Sequence, residues 1–390
     1  MNTWNTVMPN QLNNPLSELS VLNVYKTYFP DPPGGIQEAI KQLCLASSQF
    51  AIKNTVFSLS PNHLPSVIDS HEALVVREKS WLAPASCDIG GYSAFKTYHS
   101  LAKQSDIIHY LHPWPFADLL NLVAPTNKPK VLTYISDIVR QKHLNSLYSP
   151  LMWKHLQNMD VIIANCPTYA ETSPILSNSL IRDKVRIIPL GIDESAYLME
   201  SDDTILSKAS IEKDEPFFLF LGVHRYYKGL HDLINAAQYT AAKIVIAGSG
   251  PKTAELIAQA NKLNLKNILF TGQVTHAEKI SLLKHCRAFV LPSHLRSEAY
   301  GMVLVEAAMM GKPLISCEIG TGTSYINLNN QTGFVVTHNS PNQLAEAINQ
   351  LFKDESLAMT MGNNARSRYQ TLFSGMAMGK AYAELYREIL

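Results

Sequence analysis

Long hydrophobic runs are missing from this chain of 390 residues, none of whose apolar stretches approaches the ~20 residues that span a bilayer. Any membrane contact is therefore expected to be peripheral. An excess of charge is missing too: 33 Lys and Arg against 32 Asp and Glu leave a net charge of +1. That is too little to recruit nucleic acid or an anionic surface through a global field. Cysteine is scarce, five residues at 44, 87, 166, 286 and 317 without metal-ligand spacing, and the odd count argues against a disulfide framework. A reducing cytoplasm fits best. The first 20 residues are polar, rich in Asn and poor in basic residues, so no signal peptide is expected. Internal repeats and low-complexity tracts are absent as well.

What is present is an alternation of short apolar runs with helically periodic stretches. Runs at Val21 to Tyr25, Thr55 to Leu59, Ala73 to Val76, Ile107 to Leu111, Val131 to Ile135, Val161 to Ala164 and Val185 to Pro189 read as parallel strands of βα units. A second series runs from Phe217-Gly222 through Ile244 to Ala247, Ile268 to Thr271, Ala288 to Leu291, Pro313 to Cys317 and Gly333 to Val336. Asp193 to Glu215, polar and poorly periodic, reads as the linker. The expected architecture is α/β, with doubly wound Rossmann-like domains over 1–195 and 196–368 facing a central cleft. Ligands of such sheets sit beyond the carboxyl ends of the strands.

The strongest chemical signal is Ser297-Glu298-Ala299-Tyr300-Gly301-Met302-Val303-Leu304-Val305-Glu306, which sets two carboxylates eight residues apart in an apolar stretch. If it were wholly helical, a rise of 1.5 Å per residue would separate them by roughly 12 Å, about the span of a nucleotide sugar. Unpaired N–H groups at its start would suit phosphate or sugar hydroxyls. On spacing alone, an ordinary amphipathic helix with two exposed acids fits better. Val223-His224-Arg225-Tyr226-Tyr227-Lys228-Gly229 brings two cations to the mouth of the cleft, a forked guanidinium and a mobile ammonium suited to a diphosphate or to plain solvent. Ala247-Gly248-Ser249-Gly250-Pro251 offers glycines for close approach to a ligand but lacks the full G-x-G-x-x-G spacing. Phe270-Thr271-Gly272-Gln273-Val274 is a strand end whose main chain would either read a nucleobase or form an ordinary turn.

Together these motifs resemble the retaining glycosyltransferases of family 4, with the GT-B fold, from about residue 20 to the C-terminus. The resemblance implies that Glu298 contacts donor-sugar hydroxyls, Glu306 holds the ribose diol, and Arg225 and Lys228 stabilise the departing β-phosphate. Gly248, Val274 and the N–H groups of Ala299, Tyr300, Gly301 and Met302 complete the implied donor site. Physical chemistry agrees, since carboxylates accept from hydroxyls and cations stabilise developing phosphate charge. Tyr25 to Ile36, His112 to Leu119 and Arg225 to Gly229 look like bacterial mannosyl- and rhamnosyltransferases of O-antigen and related polysaccharides, which commonly use GDP sugars. Gly34 and Gly35 are then expected beside the donor diphosphate, where a missing Cβ allows close approach and φ > 0. A plain turn at Pro32-Pro33-Gly34-Gly35 is the alternative. The resemblance also implies an acceptor-binding first domain, a nucleotide-sugar-binding second one, and a closing helix over 369–390 that crosses back to the first. The apolar residues Tyr369, Leu372, Met376, Tyr382, Leu385 and Leu390 would form its packed face, although the pattern equally fits a cap on the second domain.

Thr133-Tyr134-Ile135-Ser136-Asp137-Ile138 resembles a T-x-H-S-D pattern whose histidine lies near the donor sugar, but the position holds Ile135. Asp137, His109 and His112 are the nearby candidates for its role, with His112 and Asp137 taken as catalytic. The implied reaction retains anomeric configuration without a strong enzymic nucleophile. No D-x-D motif is present, so no metal is expected, nor any cofactor beyond the nucleotide-sugar substrate. The implied partners are that donor and a saccharide or lipid-linked acceptor, with no nucleic acid, and any membrane contact would be peripheral, at the inner membrane. A GT-B epimerase or phosphorylase stays open, though neither a proton-abstracting set nor a pyridoxal-binding lysine is recognisable. So does a catalytically weakened partner subunit, which Ile135 suggests.

Overall fold

The computed structural model describes residues 17–31, 34–84, 87–137, 142–198, 200–212 and 214–390. The polar N-terminus, Pro32, Pro33, Ile138, Met199 and Lys213 lie outside the described residues, with whatever was read from them. The described residues form two sheets. The first contains β1 (Leu19–Val24), β2 (Ile52–Ser60), β3 (Val67–Asp69), β4 (Leu74–Leu82), β5 (Ile89–Gly90), β6 (Ile107–His112), β7 (Lys130–Tyr134), β8 (Val161–Ala164) and β9 (Val185–Ile187), in the order β3-β4-β2-β1-β6-β7-β8-β9 with β5 on β4. The second contains β10 (Phe217–Leu221), β11 (Lys243–Ala247), β12 (Ile268–Gly272), β13 (Ala288–Leu291), β14 (Leu314–Glu318) and β15 (Gly333–Thr337), in the order β12-β11-β10-β13-β14-β15. Only β3 and β5 pair antiparallel. Parallel strands covered on both faces become continuous apolar runs, as in β10, where Phe217 through Leu221 are all buried.

In each sheet the strand order reverses at the first strand: β1 lies between β2 and β6, and β10 between β11 and β13. That is the doubly wound arrangement, and it leaves a crevice at the carboxyl end of each switch point. The segments singled out in the sequence, 34–35, 222–229 and 292–301, all leave strands at those ends.

Two expectations change. The stretch from Asp193 to Glu215 contains a turn at Glu194–Tyr197 and a helix at Thr204–Lys208, and Ile205, Ala209 and Ile211 are buried, so much of it is packed rather than a free linker. The C-terminal stretch is interrupted: a helix at Glu355–Arg368 passes through a wide turn at Tyr369–Phe373 into a helix at Gly375–Glu388. The interruption rotates the apolar face. Met376 and Leu390 are exposed, whereas Met378, Tyr382, Leu385 and Tyr386 are buried. This last helix does cross back to the first domain. Its Tyr386 Oη and His109 Nδ1 lie 2.8 Å apart, its Tyr382 Oη is 2.9 Å from Thr133 Oγ1, and Arg387 donates to the Phe50 carbonyl at 2.8 Å.

Candidate active site

The loop after β10 folds inward through one turn, Tyr226–Lys228, which Arg225 precedes. Lys228 is buried, and its Nζ donates to the Glu298 carboxylate, itself buried and also accepting from Ser293 Oγ at 3.0 Å. Burial opposes the charge on Lys228. The Glu298 carboxylate, the Tyr227 phenol and the hydrogen bond outweigh it, holding the ammonium above the ordinary lysine value. Arg225 stays exposed, and among the described residues no carboxylate pairs with it. The loop therefore supplies one stored cation and one open one.

Glu298 is not helical. Its N–H donates to the Leu295 carbonyl at 3.0 Å in a turn, and the helix begins only at Met302 and runs to Met309, after Gly301 with φ +93°. The uniform helical rise assumed for the two acids therefore does not apply. No side chain caps this helix, which begins directly after the turn that carries Glu298. The Tyr300 side chain points away, buried, and donates to the Leu190 carbonyl at 3.0 Å; Ala299 accepts from Gly322 N–H at 3.0 Å. Glu306 is engaged by Lys279 Nζ at 3.2 Å, and the same ammonium donates to Tyr197 Oη at 3.0 Å. Burial and the Glu306 charge push the Tyr197 phenol far up. Sequence reasoning missed Lys279 and Tyr197, because nothing in local spacing links a helix at His276–His285 and a turn at 194–197 to residue 306.

Gly248 has φ +111°, and a Cβ there would lie 2.2 Å from the Gly222 carbonyl. Its missing side chain thus admits the neighbouring strand-end turn, and the argument from close approach to a ligand is not what demands glycine here. Val274 is half-buried just past β12. In the first domain, Gly34 is extended at φ −143°, so no left-handed conformation requires it. Gly35 opens the helix Gly35–Ser48, which has no side-chain cap, and a Cβ at Gly35 would meet nothing within 4 Å.

The histidine candidates separate. His109 is buried and held by Thr133 Oγ1 at 2.7 Å and Tyr386 Oη at 2.8 Å, an interior role that removes it from the site. His112 is 1% exposed and stacked on Tyr134 with ring centroids 4.6 Å apart, and neither ring nitrogen has a partner among the described residues. Burial pushes its pKa down to about 3, so the ring is neutral. Tyr134 is itself only 1% exposed, so neither ring of the stack meets solvent. Asp137 is engaged rather than free: Ser173 Oγ and Tyr134 Oη donate to it at 2.7 and 3.1 Å, and Arg296 lies 3.6 Å away. Ile135 is half-buried past the end of β7, packed against the main core.

A separate cavity of about 650 Å³ surrounds Phe217, Arg287 and Pro313 at the amino ends of the second sheet. Ligands of doubly wound sheets bind at the other edge. No group of three or more His, Cys, Asp or Glu among the described residues is placed to hold a metal ion, and no described helix is long and apolar enough to cross a membrane.

Two such domains with a cleft between their carboxyl edges define the GT-B class. A sucrose-phosphate synthase from Thermosynechococcus elongatus shares the fold with a TM-score of 0.76 at 22% identity, covering 95% of this chain and 99% of that one. HepE from Anabaena, solved with UDP and glucose, does so with a TM-score of 0.72 at 18% identity, covering 95% and 100%. Sequence gives the family. Residues 201–368 match the glycosyl transferases group 1. The D-rhamnosyltransferase WbpZ of Pseudomonas aeruginosa is 44% identical over 357 residues, 91% of this chain and 92% of that protein. The O-antigen chain mannosyltransferase C of Escherichia coli is 39% identical over 372 residues, 95% and 99% of the two chains. This chain belongs to the group 1 glycosyl transferases.

Proposed function

We propose that the protein transfers a hexose, mannose or rhamnose, from a GDP sugar to a saccharide or lipid-linked acceptor during bacterial O-antigen assembly, with retention and without a metal. Two relatives similar over most of the chain carry rhamnosyl- and mannosyltransferase names, which supports the sugar class. One observation carries the site reading: the buried Lys228–Glu298 pair beside an exposed Arg225 and an uncapped helix start, all at the carboxyl edge of β10 and β13. A donor offers each member of that pair a new partner, phosphate for the lysine and sugar hydroxyls for the glutamate. The acceptor hydroxyl then attacks from the face that the diphosphate leaves. Its oxygen bonds the anomeric carbon as the phosphate oxygen departs, and that oxygen takes the hydroxyl proton. Positioning and charge stabilisation by Arg225, Lys228 and the open N–H groups lower the barrier.

A thermal-shift panel of GDP-, UDP- and dTDP-sugars identifies the donor, because a ligand that binds only the native state stabilises it in proportion to RT ln(1 + [L]/Kd). Glu306→Ala should then raise the Kd of the donor, and Glu298→Ala should mainly lower kcat, since sugar contacts change as the glycosidic bond breaks. If both variants bind and turn over donor like the parent, the assignment is wrong. Chelator should leave the rate unchanged, and NMR of the product should show the donor's anomeric configuration.

A further inference from the structure

Residues of the turn that carries Glu298 reach into the first domain on either side of it. Two residues before Glu298, the Arg296 guanidinium donates to Thr172 Oγ1 at 3.0 Å and to the Gly320 carbonyl at 2.7 Å. It also lies 5.3 Å from the Tyr169 ring and 3.6 Å from the Asp137 carboxylate. Thr172 Oγ1 donates to the same Gly320 carbonyl at 2.8 Å. Two residues after Glu298, the Tyr300 hydroxyl donates to the Leu190 carbonyl at 3.0 Å.

The first-domain partners form a knit unit. Asp137 N–H donates to Tyr169 Oη at 2.7 Å, and Ser173 Oγ donates to the Asp137 carboxylate at 2.7 Å. Tyr169 and Thr172 lie on the helix Pro167–Thr172, which follows β8. Arg296 is thus the cation of a clasp whose other half belongs to the facing sheet. Its planar fork suits the task, since it bonds a carbonyl and a hydroxyl, faces an aromatic ring and lies near a carboxylate at once. Glu298 depends on that turn for its location, because no helix or strand holds its backbone.

We propose that Arg296 is a positioning residue: by clasping the Glu298 turn to the first domain, it aligns the Glu298 carboxylate with the donor sugar only when the two domains are apposed. Asp137 then serves the reaction through Arg296, as the clasp's carboxylate. The inference rests on the proposed role of Glu298 at the donor sugar. It adds that the first domain, which holds the acceptor on that reading, controls the sugar contact made by the second.

The test compares GDP with GDP-mannose on the full-length protein. Nucleotide binding draws on groups away from the clasp, so Arg296→Ala should change the Kd for GDP by less than about twofold. Misplacing a reacting group by about 1 Å costs on the order of 10²-fold, so kcat should fall by about 10- to 100-fold, and the extra affinity for GDP-mannose over GDP should shrink as it does in Glu298→Ala. Arg296→Ala added to Glu298→Ala should cost less than about threefold more in kcat, because residues acting as a unit are not additive. Arg296→Lys, which keeps a cation and one donor, should recover part of the loss, and it serves as the second variant if the alanine protein does not fold. An unchanged kcat, a multiplicative double variant, or loss of GDP affinity in step with kcat would overturn the proposal. An inert Arg296→Ala beside an impaired Glu298→Ala removes this inference alone. If both are inert, the donor-site reading falls with it.

Discussion

Lys228→Ala separates what the buried pair does for the fold from what it does for the reaction. Both side chains of the pair are 11% exposed, so neither charge has much water to fall back on. Removing the ammonium leaves the Glu298 carboxylate buried with Ser293 Oγ at 3.0 Å as its hydroxyl donor. Breaking a buried pair from one side costs about 3–5 kcal/mol, because the other charge is left uncompensated. Adding Glu298→Gln removes that charge and should return most of the loss. Turnover should behave otherwise, since both variants lack the cation and each should lose about 10²- to 10³-fold. The double variant is therefore expected to be stable and nearly inactive. All four tryptophans, at 4, 81, 114 and 153, lie in the N-terminal half of the sequence, so far-UV circular dichroism in urea is the better probe of the second domain. A cost below about 1 kcal/mol, or a double variant as unstable as the single, would refute the buried-pair argument. Recovery of turnover along with stability would refute the electrostatic role of Lys228.

Asp118, buried and hydrogen-bonded by Tyr148, has its pKa pushed up to about 8 by burial. Between an unfolded value of about 3.9 and that of the folded state, the native chain holds a proton the unfolded chain has released, so this group's contribution to stability falls as pH rises, by up to about 1.4 kcal/mol per unit. Asp118→Asn keeps the acceptor for Tyr148 and should lose about 2 kcal/mol less than the parent between pH 6 and 8, measured by denaturation; parallel curves would exclude the shift. Ile135→His should cost less than about 2 kcal/mol, because the site is half-buried, and should alter turnover or donor preference. A loss of several kcal/mol would mean that the side chain belongs to the packed interior.

The sheets were legible because strands buried on both faces leave unbroken apolar runs, as in Phe217–Leu221 and Val161–Ala164. The short strands Val67–Asp69 and Ile89–Gly90 carry no such signal, being exposed and paired only to β4. Gly301 stands between the two acids, yet sequence could not say whether the helix began at Glu298 or after the glycine. The left-handed φ decides it. The C-terminal helix was legible as an element but not as a face, because the wide turn at Tyr369–Phe373 shifts the period and turns Met376 outward. Pairings between distant elements have no signature in local spacing: Lys279 meets Glu306 only once the second domain has folded, and Arg296 meets Asp137 only once the two domains are assembled.

The Lys228–Glu298 pair also bears on which ligand the proposed donor site favours. A lone ammonium as buried as Lys228 would be costly, and Glu298 lets the site keep that cation without a ligand. On the proposed function, a nucleotide diphosphate draws Lys228 toward phosphate and leaves the buried Glu298 with Ser293 alone, a gain at one group offset by a loss at the other. A nucleotide sugar brings the anion and the hydroxyl donors together, so both members of the pair exchange one partner for another. The intact donor is satisfied at both ends and the spent nucleotide at one. On that proposed function, the Lys228–Glu298 pairing therefore biases the site toward the donor before the reaction and toward release afterwards.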